Sequence, residues 1–143
     1  MLDQAPKSLD ASVKRVLIVD DELTIRTAMR RFFIRLGWSV TEASNGEVAL
    51  SLLNDDASRD GNPKFDIILS DLRMPVLTGI EMYYRLQREQ PSLLRRLIFS
   101  TGDLVSDDAA AFVRSTGCVV LQKPFELAAL RTKVEQLLAG AGD

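Results

Sequence analysis

Five residues of this 143-residue chain could together carry phosphoryl chemistry, and each stands at the end of a short apolar run. Asp20 and Asp21 follow Val16-Leu17-Ile18-Val19. Asp71 follows Phe65-Asp66-Ile67-Ile68-Leu69-Ser70. Thr101 closes the run begun by Leu97-Ile98-Phe99, and Lys123 closes that begun by Val119-Val120-Leu121. Three carboxylates held close repel one another, so either one takes a proton or a cation sits among them. With oxygen ligands alone, that cation is expected to be Mg²⁺, its octahedron completed by water. An aspartate is a competent nucleophile toward phosphorus and forms an acyl phosphate. A metal and Lys123 can neutralise the charge on the peripheral oxygens in transit, and Thr101 can donate a hydrogen bond to one of them. The chain contains no histidine. Ser-His-Asp and Cys-His catalysis, His-ligated zinc and a phosphohistidine of its own are therefore excluded.

These side chains are far apart in sequence, so the fold must gather them. Val16 to Val19 reads as a buried strand. Ile25, Met29, Phe32 or Phe33, and Leu36 then recur at helical spacing up to Gly37. Ser39 to Ala43 is a second strand. Ser44 and Glu47 form an S-x-x-E capping box before a helix whose apolar face is Val48, Ala49, Leu52 and Leu53. Residues 55–64 are polar, contain Gly61 and Pro63, and read as a loop. The third strand runs to Asp71. A turn with Pro75 and Gly79 leads to a helix bearing Ile80, Tyr83 or Tyr84, and Leu86, broken by Pro91. A fourth strand ends at Ser100-Thr101-Gly102. A helix over about 107–115, with Phe112 and Val113 inward, ends at Gly117. A fifth strand ends at Lys123-Pro124, and a last helix carries Leu127, Leu130, Val134 and Leu137.

Apolar strands alternating with amphipathic helices predict an α/β fold with an open, doubly wound, five-stranded parallel sheet covered on both faces. Right-handed crossovers bring every strand's C-terminus to one edge, where such folds bind ligands. The five candidate residues therefore share a rim. Taken singly, each has an ordinary structural reading: Asp20 or Asp21 as a helix cap, Thr101 as a turn residue, Lys123 as a surface charge. Their convergence is what points to a site. The Lys123-Pro124 bond is a place where a cis peptide would aim the lysine.

Residues 1–13 read as an N-terminal tail, 14–139 as one domain and 140–143 as a C-terminal tail. The single cysteine, Cys118, excludes an intrachain disulfide and suggests a reducing, cytoplasmic setting. A net charge of −2 gives no basic surface for nucleic acid, and no apolar run is long enough to span a membrane.

The segments Val16-Leu-Ile-Val-Asp20-Asp21-Glu22, Leu69-Ser-Asp71-Leu-Arg-Met-Pro75, Ser100-Thr101-Gly102 and Leu121-Gln-Lys123-Pro124-Phe125 occur in this order, each at a strand end. Together they resemble the response-regulator receiver domain of two-component signalling, over roughly Lys14 to Leu138. The spacings from Asp71 to Thr101 and from Thr101 to Lys123 are usual for that family. The spacing from Asp21 to Asp71 is longer, and the loop at 55–64 accounts for it.

The resemblance implies a flavodoxin-like (βα)5 sheet of strand order 2-1-3-4-5. It implies Asp71 as phosphoacceptor, with Asp21, Asp71 and the backbone carbonyl of Arg73 on Mg²⁺ and Asp20 acting through water. Thr101 would bond the phosphoryl group, and Lys123 would pair with it or with unmodified Asp71. The donor would be a phosphohistidine of a partner histidine kinase or phosphotransfer protein. The receiver would either stand alone or be a segment of a larger protein such as a hybrid kinase, and would switch an output protein. It would be no enzyme beyond its own phosphorylation and dephosphorylation.

Val120 departs from the family pattern, because many receivers carry an aromatic switch residue there. Arg73 and Asp103 occupy positions that modulate loss of the phosphoryl group, and a charge pair between them would hinder attacking water. Two other readings compete. Asp20-Asp-Glu-Leu-Thr24 resembles the D-x-D-x-T element of haloacid-dehalogenase hydrolases, with Glu22 at the second acid. A receiver that is never phosphorylated would serve only as an interaction module.

Overall fold

The computed structural model describes residues 13–56, 65–102 and 106–141. Strands and helices alternate along the chain: β1 (Arg15–Val19), α1 (Leu23–Arg35), β2 (Ser39–Ala43), α2 (Gly46–Asp56), β3 (Ile67–Asp71), α3 (Gly79–Glu89), β4 (Leu97–Thr101), α4 (Asp107–Thr116), β5 (Val119–Gln122) and α5 (Leu127–Ala141). A 3-10 helix at Pro91–Arg96 joins α3 to β4. All pairings are parallel and the strand order is β2-β1-β3-β4-β5, as expected.

Strand alternation divides the core between the two faces of the sheet. Leu17, Val19 and Ile68 pack with Ala49, Leu50 and Leu53 of α2, Met82 and Leu86 of α3, and Phe112 of α4. Val16, Ile18 and Ile67 pack with Met29 and Phe33 of α1 and Leu130 and Val134 of α5. Because β3 and β4 are covered on both sides, they are buried throughout. The edge strands β2 and β5 are only partly so. The order reverses at β1, which has β2 on one side and β3 on the other, and this opens a crevice at the C-terminal ends of β1 and β3.

Several local expectations shift. Helix α2 is capped by Asn45, whose Oδ1 accepts from the Val48 N–H at 3.0 Å, rather than by Ser44. Its buried face is Ala49, Leu50 and Leu53, and Val48 points outward. The reciprocal capping box belongs to α3: Thr78 accepts from the Glu81 N–H, and Glu81 accepts from the Thr78 N–H. Helix α5 continues to Ala141, past the expected end at Ala139, so Gly140 is carried within its last turn rather than stopping it. Gly37 and Gly117 take positive φ just past α1 and α4, the left-handed stop that a residue with a Cβ resists.

Candidate functional site

The crevice is built first by the end of β1. The Asp20 N–H continues the ladder to the Ala43 carbonyl of β2 at 3.1 Å, and the chain then turns into α1. Asp20 is buried. Its Oδ1 accepts from the Glu22 N–H at 2.9 Å and its Oδ2 faces Lys123. The helix-cap reading of Asp20 and Asp21 does not hold, since Glu22 is the N-cap of α1 and no side chain caps it; one Asp20 oxygen instead braces the turn into α1, while the other serves the pocket. Asp21 is exposed at its mouth.

Asp71 ends β3 beside Ser100 of β4 and is 8 % exposed. Its Oδ1 accepts from the Arg73 N–H at 3.2 Å and its Oδ2 from Lys123 Nζ at 3.1 Å. Gly79 lets α3 begin directly against this strand end. A Cβ there would lie 2.6 Å from the Asp71 carbonyl oxygen and 2.9 Å from Leu72 Cα, so backbone would have to move. Between Pro75 and Gly79 the chain makes a tight γ-turn, with Leu77 N–H on the Pro75 carbonyl at 2.7 Å and Val76 at φ +71°.

Lys123 follows β5, and its peptide bond to Pro124 is cis. Its Nζ bridges Asp20 Oδ2 at 3.2 Å and Asp71 Oδ2 at 3.1 Å. Burial alone would lower the Lys123 pKa, but attraction to Asp71 and Asp20 outweighs it and the value is raised. Burial pushes the Asp71 carboxyl above its ordinary value, although the Arg73 N–H and Lys123 pull the other way. The pocket therefore holds its nucleophile candidate in partial desolvation, with a fixed cation beside it.

One carboxylate oxygen from each of Asp20, Asp21 and Asp71 lies within 4.8 Å of the others. Three acids face one ammonium, and the available donors are all oxygen. That donor set fits a hard divalent cation such as Mg²⁺.

Thr101 is fully buried at the end of β4, and its carbonyl accepts from the Lys123 N–H at 2.8 Å. The hydroxyl-bearing residue and the lysine are thus locked on adjacent strand ends. Arg73 sends its guanidinium away along the mouth to α4, donating to Ser106 Oγ at 2.8 Å and Asp108 Oδ1 at 3.0 Å. The Ser106 hydroxyl and Arg73 together hold the Asp108 carboxyl below its ordinary value. Asp103 lies outside the described residues. Val120 pairs with Phe99 across β4–β5 and is partly buried. The rings near it belong to other elements: Phe112 of α4 sits edge-on to Phe99 at 5.8 Å and to Tyr83 of α3 at 5.1 Å.

Two contacts of the site escape sequence reasoning. Arg26 donates from Nη1 to the Asp20 carbonyl at 2.7 Å and from Nε to Glu42 at 3.1 Å. In the sequence it is one more charged residue of a helix, and nothing in its spacing singles it out. Asp108 reaches the site through Arg73, and nothing in its spacing announces that.

Residues 16–135 match the family model described as Response regulator receiver domain. The chain is 29% identical over 132 residues to the response regulator receiver protein CpdR of Brucella abortus, covering 90% of this chain and 100% of that protein. It is 32% identical over 87% of its length to the response regulator MprA of Mycolicibacterium vanbaalenii, of whose length it spans about half (50%). Among solved structures, chemotaxis protein CheY4 of Vibrio cholerae superposes with a TM-score of 0.72 at 27% identity, covering 88% of this chain and 99% of that one. The receiver domain of the hybrid histidine kinase CckA gives 0.66 at 27% identity, covering 87% and 98%.

Proposed function

The chain belongs to the response regulator receiver domain family, and from that premise we propose that Asp71 accepts a phosphoryl group from the phosphohistidine of a partner kinase or phosphotransfer protein. A receiver is a signalling module rather than an enzyme with its own substrate turnover, and membership of a two-component system implies a histidine kinase as donor. The family match over residues 16–135 sets the haloacid-dehalogenase reading aside.

The observation that carries the proposal is the Lys123 ammonium clamped between Asp20 and Asp71 beside Asp21. An Asp71 carboxylate oxygen attacks phosphorus, and the N–P bond of the donor imidazole breaks. Its electron pair stays on the ring nitrogen, and an acyl phosphate remains on Asp71. Lys123, already within reach of Asp71 Oδ2, stays close enough to pair with a phosphoryl oxygen. The Arg73 N–H keeps the carboxylate from rotating away. Thr101, on the next strand end, offers its hydroxyl to another oxygen. Asp21, Asp71 and the Arg73 carbonyl are the residues that would hold Mg²⁺, with Asp20 acting through water. When bound, the ion neutralises charge shared by the carboxylates and the incoming phosphoryl group.

Beside Lys123 a groove of about 420 Å³, lined by Ile25, Met29, Pro124 and Phe125, provides an apolar surface contiguous with the site on which a donor protein can rest.

Output is expected on the face of α4, β5 and α5. Val120 supplies no ring there, so coupling runs through the Arg73 contact with α4 and through the rings of Phe99 and Phe112 behind it.

Incubation with acetyl phosphate and Mg²⁺, read by intact mass, tests the proposal. One added phosphoryl group, absent in Asp71→Ala and without Mg²⁺, is the expected result. No adduct in the native chain would instead identify a receiver used only as an interaction module.

A further inference from the structure

We propose that Arg26 is a positioning residue for the acidic pocket, fixing the Asp20–Asp21 peptide so that the Asp21 carboxylate meets the cation. The inference rests on the reading that this pocket takes Mg²⁺. Arg26 is the fourth residue of α1, and its side chain is only 15% exposed. A guanidinium so buried must have its donors met, and an acidic side chain and a backbone carbonyl meet them here.

Its Nη1 donates to the Asp20 carbonyl at 2.7 Å and its Nε to Glu42 Oε1 at 3.1 Å, while Glu42 also meets Arg30 at 3.7 Å. The fork thereby ties three elements together: the end of β1, the start of α1 and the outer strand β2. The Asp20 carbonyl belongs to the peptide plane that joins Asp20 to Asp21. That plane is rigid, so fixing its oxygen sets the direction in which the chain enters Asp21. The Asp20 side chain is fixed separately, by the Glu22 N–H and by Lys123. Asp21, exposed at the mouth of the pocket, has its orientation set through the backbone, and Arg26 holds that backbone.

Charge and position predict opposite signs. Removing a cation near three carboxylates makes the pocket more negative, and by Coulomb's law alone this strengthens binding of a divalent ion. Losing the geometry weakens it. Arg26→Lys keeps the charge but not the planar fork that spans the carbonyl and Glu42 together. The decisive measurement is isothermal titration of the full chain with Mg²⁺, alongside phosphorylation by acetyl phosphate as a function of Mg²⁺ concentration. We expect Arg26→Ala to weaken Mg²⁺ binding by about five-fold or more and Arg26→Lys to weaken it in the same direction. The maximal phosphorylation rate at saturating Mg²⁺ should stay within about three-fold of the native chain, since the shortfall is in assembling the pocket.

A role confined to fold stability would lower the melting temperature of both variants and leave their Mg²⁺ affinity alone. Native or tighter affinity in Arg26→Ala overturns the proposal, and if that variant does not fold, native affinity in Arg26→Lys does so. Absence of Mg²⁺ binding in the native chain would overturn the receiver reading itself, a different outcome from an unaffected variant.

Discussion

At the scale of single residues, the site trades stability for chemistry. In the proposed reaction Lys123 meets the developing charge, so Lys123→Ala should slow phosphorylation by acetyl phosphate about 100-fold or more, the typical loss on removing a fixed donor at a reacting oxygen. Intact-mass time courses measure this directly. Asp71 behaves differently in the resting, metal-free protein. Its folded pKa is raised by burial. Its stabilising contribution is therefore full below the unfolded value, about 3.9, and is lost as pH climbs through the folded value. Asp71→Asn should accordingly favour the metal-free protein more at pH 7 than near pH 4, because a raised carboxyl pKa costs stability only where the native group ionises. Urea titrations at the two pH values test the sign, and a gain that shrank toward neutrality would contradict it. The types and order of Asp20, Asp21, Asp71, Thr101 and Lys123 were legible in the sequence because each ends an apolar run. Arg26 and Asp108 were not. Their roles depend on which way a long or exposed side chain turns, and no periodicity records that.

At the scale of elements, the pocket depends on how α3 and α4 are set against the strand ends. Gly79→Ala should destabilise the protein by about 1–3 kcal/mol, the usual range for forcing an atom into packed structure. The Cβ would meet the backbone of Asp71 and Leu72 rather than a side chain that can yield. The same variant should also slow phosphorylation, because the displaced atoms carry Asp71, the proposed nucleophile. The Arg73–Asp108 contact is a weaker tie between exposed groups, screened by solvent. Asp108→Asn should therefore leave the melting temperature nearly unchanged while raising amide hydrogen exchange in the first turn of α4. Unchanged exchange there would show that Arg73 does not restrain the helix. The alternation of strands and helices is readable from hydrophobic period, yet the S-x-x-E pattern points to a capping box at Ser44 and Glu47 when Thr78 and Glu81 form it. Both segments carry the S/T-x-x-E pattern, and only the course of the chain before each helix decides which threonine or serine faces back.

At the scale of the whole molecule, the parallel sheet does what no local motif can. Its order β2-β1-β3-β4-β5 sets the ends of β1 and β3 side by side and brings β5 close enough for Lys123 to touch both acids. On the proposed reading, cohesion of this site is coupled to Mg²⁺, because an ion bound by the folded state alone adds stability by mass action. Mg²⁺ should raise the melting temperature of the native chain and have a much smaller effect on Asp71→Asn, as thermal scans across Mg²⁺ concentration would show. Strand order was anticipated from the receiver resemblance rather than from hydrophobic pattern, which fixes strand and helix but is silent on which strands are neighbours. Among the described residues no helix is long and apolar enough to cross a membrane. The most direct measurement concerns where the phosphoryl group resides. After phosphorylation with acetyl phosphate and Mg²⁺, borohydride reduction converts an acyl phosphate to the alcohol, and peptide mass spectrometry locates it. Reduction at Asp71 alone is the expected result; a mark on Asp20 or Asp21 with Asp71 untouched would contradict the assignment of the nucleophile.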